Sequence, residues 1–116
     1  MIKPAFLLTA ICALPLAACA SMSPQSAQSA RGLALAEARC ASCHAVTAGD
    51  LSANPEAPAF AAIANQRELS RGTLRAFLRD SHNFPAAMNF TLRPADVDDL
   101  AAYMVTLQRA DYHPPI

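Results

Sequence analysis

The sequence predicts an all-α fold of about four short helices, and three observations carry that reading. No stretch alternates apolar and polar residues as a half-buried strand would. Leu74, Phe77 and Leu78, and again Val97, Leu100, Met104 and Leu107, recur at helical spacing. Proline, glycine and asparagine cluster between those stripes rather than inside them.

The chain has 116 residues, the length of one small domain. Its start is not expected to belong to the fold. Met1 to Ala18 has Lys3, an apolar run and small residues at its end, which describes a secretory signal peptide. A membrane span needs about 20 apolar residues, and Pro4 and Pro15 interrupt this run. Leu16-Ala17-Ala18-Cys19 resembles a bacterial lipobox. That resemblance implies cleavage before Cys19 and acylation of its sulfur and new amino group, and several acyl chains make a stable anchor. Ala20 follows where an aspartate would signal inner-membrane retention, so the outer membrane is somewhat favoured and the compartment is the periplasm.

Residues 19–30 are small, polar and aperiodic, and read as a flexible tether. The folded domain is expected at 31–112, with 113–116 as a tail. Gly32 to Arg39 is expected as a short helix with Leu33, Leu35 and Ala36 on one side. Thr47 to Pro58 holds Gly49, Asn54, Pro55 and Pro58 and reads as a loop. Ala59 to Asn65 fits a helical turn. Ser70 can cap a helix over 70–81. Residues 82–93 are irregular around Pro85, and Pro94 opens the last helix with Asp96, Asp98 and Asp99 near its positive end.

Charge excludes little but is useful. The nine basic residues are Lys3 and eight arginines, set against nine acids. The near-neutral balance is uninformative globally; no nucleic-acid partner is expected, and a monomer is. Arg67, Arg71, Arg75 and Arg79 recur every four residues. They read as a solvated ridge, or as a docking patch for an acidic partner or an anionic membrane.

Such a domain has few large apolar side chains and is short of core, which a buried apolar ligand would remedy. Cys12 leaves with the signal and Cys19 takes lipid, so Cys40 and Cys43 remain, followed at once by His44. A thioredoxin-like pair needs strands nearby, and a structural zinc site needs four ligands. Neither is present in the sequence pattern. C-x-x-C-H is the attachment signature of c-type haem, with each thiol joined to a vinyl group and the imidazole on the iron.

At these residues the chain resembles the small class I cytochromes c. Four places carry the resemblance: Gly32 before the motif, Cys40-Ala41-Ser42-Cys43-His44, Asn54 to Phe60, and Asp98 to Met104 with Tyr103 near a helix crossing. It implies a small cytochrome c fold wrapped round one covalent haem c, held through Cys40 and Cys43, with His44 as proximal iron ligand and the Pro58 carbonyl accepting from that histidine. It implies a distal methionine before the last helix, and Met88 is within about one residue of the expected place. The family's Met-Pro is here Phe84-Pro85. His82 or an open position therefore stays as an alternative, and Met104, at core spacing, reads as packing. The family's aromatic before the first cysteine is here Ala36, which predicts a more thinly packed crossing. The implied function is electron transfer between redox partner proteins. A redox subunit of a larger dehydrogenase or oxidase, or a haem enzyme or gas sensor with an open sixth position, are the competing readings.

Overall fold

A computed structural model describes residues 22–80 and 86–114. The signal segment, Cys19, His82, Phe84 and Pro85 lie outside the described residues. Among those described there are four α-helices and no strand: α1 Pro24–Arg39, α2 Phe60–Ala64, α3 Arg71–Asp80 and α4 Pro94–Met104. A short 3-10 turn, Ala86–Met88, precedes α4, and another, Val105–Leu107, prolongs it.

α1 begins where the sequence suggested a flexible tether, and this corrects the expected boundary. Pro24 stands in the first turn, where its missing N–H costs nothing. Ser23 caps the end, its Oγ accepting from the Ser26 amide at 3.1 Å. Small polar residues hid the first turns of the helix, which are held through capping and polar contacts rather than an apolar stripe. Gln28, one turn before the expected start, accepts a hydrogen bond from Arg71 of α3 at 2.7 Å.

α1 and α4 cross at Gly32. A Cβ on that residue would lie 2.0 Å from the Asp99 carbonyl oxygen and 2.7 Å from Tyr103 Cβ. No side chain larger than hydrogen fits there unless the helices separate. Arg31 then clasps the crossing from outside, its Nε and Nη2 donating to the two carboxylate oxygens of Asp99 at 2.7 and 2.9 Å. Ala36, one turn further along α1, is fully buried in the core cluster. The small residue that stands where an aromatic was expected is thus enclosed by its neighbours.

α4 buries Val97, Leu100, Met104 and the following Leu107, as its spacing required. α3 is capped reciprocally. Ser70 Oγ accepts from the Thr73 amide at 3.1 Å, and the Ser70 amide donates to Thr73 Oγ1 at 2.9 Å. It buries Leu74 and Leu78. Among the described residues, six of the fifteen buried apolar ones are alanines, so the protein side of the core is thin.

The arginine ridge does not form as spaced. Glu68 takes a left-handed backbone conformation (φ 61°), which breaks the chain before α3 and leaves Arg67 outside the helix. Arg71 bonds Gln28, Arg75 pairs with Asp98 of α4, and Arg79 pairs with its neighbour Asp80. Two of the four arginines therefore reach across to other helices.

Gly32→Ala is expected to destabilise the folded protein by about 3 kcal/mol or more, at the upper end of overpacking costs, because backbone stands in the way. Denaturant unfolding of the haem-loaded protein measures it. The Arg31 guanidinium holds the Asp99 carboxyl below the usual carboxylate range. A lowered folded pKa contributes stability that is complete above the unfolded value of about 3.9 and is lost as pH falls through the folded value. Asp99→Asn is expected to flatten the acid limb of the stability profile in that window, read as melting temperature against pH.

Candidate haem site

α1 ends at Arg39, and the chain turns at once. The amides of Cys40 and Ala41 return to the Ala36 carbonyl at 2.8 and 3.1 Å, and the His44 amide bonds the Cys40 carbonyl at 2.9 Å. This tight wrap carries Cys40, Cys43 and His44 to the end of the helix. Neither cysteine is in a disulfide, and both are partly buried. Among the described residues no three His, Cys, Asp or Glu side chains gather as they would round a metal ion. The two cysteines and the imidazole instead form part of one wall.

That wall borders a cavity of about 290 Å³. Leu35, Phe60, Ile63, Leu74, Leu78 and Leu100 supply much of the rest, from α1, α2, α3 and α4. Arg39 and Glu56 are the only charged residues on it among those described. Met88 and Met104 both border it, Met88 half-buried in the turn before α4 and Met104 buried in α4 itself. The lining fits a porphyrin. It is a largely apolar enclosure lined by two cysteine sulfurs, with an imidazole nitrogen and two thioether sulfurs as donors.

The loop after the motif is folded back onto it. His44 Nδ1 lies 2.8 Å from the Pro58 carbonyl oxygen. The imidazole also packs against Phe60, ring centroids 5.5 Å apart and tilted by 52°. The Asn54 amide donates to the Cys43 carbonyl at 3.0 Å, and the Phe60 amide to the Ala45 carbonyl at 2.9 Å. Gly49 turns the loop with φ 85°, a conformation that favours glycine. Two contacts were not visible in the sequence. Ser52 Oγ accepts from the Ala45 amide at 3.0 Å, and Tyr103 Oη donates to the Val46 carbonyl at 2.6 Å. Tyr103 had signalled only a helix crossing, and Ser52 had no signal beyond being a loop serine.

The structure thus brings Cys40, Cys43, His44, Pro58 and Met88 to one cavity. Helical domain and a site of this chemistry together define a c-type cytochrome. The family model for cytochrome c matches residues 29–108, and the chain belongs to that family. It is 36% identical over 101 residues to cytochrome c-552 of Bradyrhizobium diazoefficiens, covering 87% of this chain and 95% of that protein. No solved structure matches significantly. The protein carries one c-type haem, attached through Cys40 and Cys43, and is a haem-based electron carrier.

Proposed function

We propose that this is a periplasmic one-electron carrier, held to a membrane by lipid on Cys19, with His44 and Met88 as the axial ligands of its haem. The observation that carries the ligation is the His44 contact. With Nδ1 on the Pro58 carbonyl, Nε2 is the nitrogen left for iron. A bond of that kind fixes the ring and raises its basicity. Met88 borders the same cavity from the turn before α4, which supports it as the distal thioether. A soft sulfur ligand favours the reduced iron and gives a high potential.

When bound, the haem supplies a reversible one-electron couple. The chain's part is to hold that couple in place and keep water from it. Apolar walls from four helices raise the cost of the extra charge on ferric iron, and the covalent links prevent loss of the group on either redox change. Function by fold likeness alone would be analogy; the thiols, the braced imidazole and the thioether at one cavity give it chemical content.

The donor and acceptor are redox proteins. With Arg71 and Arg75 engaged to Gln28 and Asp98, the arginine ridge is not the surface we assign to them. Export and anchoring rest on the signal-like start and the lipobox at Leu16-Ala17-Ala18-Cys19. α1 begins at Pro24, so a lipid on Cys19 would leave only residues 20–23 before a rigid helix. Such a domain would be held close to the bilayer rather than ranging on a long leash.

Met88→Ala is expected to abolish the weak long-wavelength charge-transfer band of sulfur on ferric haem and to admit carbon monoxide to the ferrous protein. A wild-type protein without that band, or a variant that keeps it, would exclude Met88, and loss of a bis-histidine spectrum in His82→Ala would point to that histidine instead. Cys19→Ser is expected to move the protein from the membrane to the soluble periplasmic fraction. Membrane association of the variant that survives high salt would count against the lipid.

A further inference from the structure

The segment that bears His44 is pinned at four points. Its Cys43 and Ala45 carbonyls accept from the backbone amides of Asn54 and Phe60. The other two pins are side-chain hydroxyls, Ser52 Oγ accepting from the Ala45 amide and Tyr103 Oη donating to the Val46 carbonyl. They act on the two residues that directly follow the histidine, one from the loop below and one from α4. Tyr103 is buried, and its O–H···O distance of 2.6 Å is at the short end of such bonds. It is also the residue that meets Gly32 at the helix crossing.

We infer that Ser52 and Tyr103 are positioning residues for the proximal imidazole: together they hold residues 45–46 so that the His44 bond to the Pro58 carbonyl stays short, and they thereby set the reduction potential. Neither touches the haem cavity. Their action runs through the backbone. The Phe60 amide, the Phe60 ring and the Pro58 carbonyl all meet this segment within three residues of one another. Deleting either hydroxyl leaves a peptide group of Ala45 or Val46 without its partner, and the segment shifts to find another. A looser His44–Pro58 bond makes the imidazole a weaker electron donor, which disfavours ferric iron. The potential then rises.

The assignment rests on His44 being the proximal ligand, and the test separates the two. Haem-loaded wild type, Tyr103→Phe, Ser52→Ala, Ser52→Thr and Val97→Ala are compared by spectroelectrochemistry and by the hyperfine-shifted imidazole resonances of the ferric protein. Val97 is buried but does not border the cavity, so it controls for simple loss of stability. Tyr103→Phe and Ser52→Ala are each expected to raise the ferrous-to-ferric ratio at a fixed potential at least threefold, about 28 mV for a one-electron couple, and to move the imidazole resonances. Ser52→Thr keeps the hydroxyl and restores both. Val97→Ala lowers the melting temperature with both unmoved. If Tyr103→Phe does not load haem, Ser52→Ala decides alone. Potential and resonances unchanged in the hydroxyl deletions, or moved equally in Val97→Ala, overturn the assignment. Wild-type spectra without ligated imidazole resonances overturn His44 ligation itself, a distinct failure that takes this one with it.

Discussion

The contact between Gly32 of α1 and the backbone of Asp99 on α4 governs the rest of the molecule. Helix axes usually stay 8–10 Å apart because side chains stand between them. Here a missing side chain lets backbone meet backbone. The close approach places Arg31 within reach of both Asp99 oxygens, and encloses Ala36 with nothing larger in its place. It also aims Tyr103 across to the Val46 carbonyl, two residues beyond the histidine. One position along the sequence therefore fixes the angle of both long helices and the place of the haem motif at the end of α1.

Around that crossing the domain is sparing with its own apolar mass. Among the described residues many of the buried ones are alanines, and the largest fully buried side chains are Leu74, Leu100 and Met104. Leu74, Leu100 and Met104 all border the haem cavity as well. The same residues thus make the core and the site, and the haem is the central piece of the packing rather than a guest in a finished fold. This explains how so short a chain carries a stable domain. Many of the charged residues pair with one another away from the haem cavity, as with Arg93 and Asp96 or Arg109 and Asp111. The wall facing the porphyrin has little room for them.

Much of this was legible in the sequence, for reasons that differ by residue. Cys40, Cys43 and His44 are read directly because their spacing is the chemistry. α3 and α4 are read because a capping serine, a first-turn proline and apolar residues at helical spacing agree. The start of α1 was not legible. Residues 24–30 are small and polar, and what orders them is the Ser23 cap and the Gln28–Arg71 bond, whose partners are 43 residues apart. The pins on the histidine segment were hidden for the same reason. Tyr103 and Val46 are 57 residues apart, and no local pattern marks a hydroxyl for a distant carbonyl. The arginine spacing misled because a single left-handed residue, Glu68, resets the helix after Arg67.

If the crossing is the common support of helices and haem motif, the two helices cannot open separately while the site stays intact. Native-state hydrogen exchange of the haem-loaded protein measures this residue by residue. The slowest amides should be those of α1 from Gly32 to Arg39 and of α4 from Val97 to Met104, and they should open with one shared free energy equal to that of global unfolding. Exchange through α1 at a much lower free energy than through α4, with the haem spectrum unchanged, would contradict it.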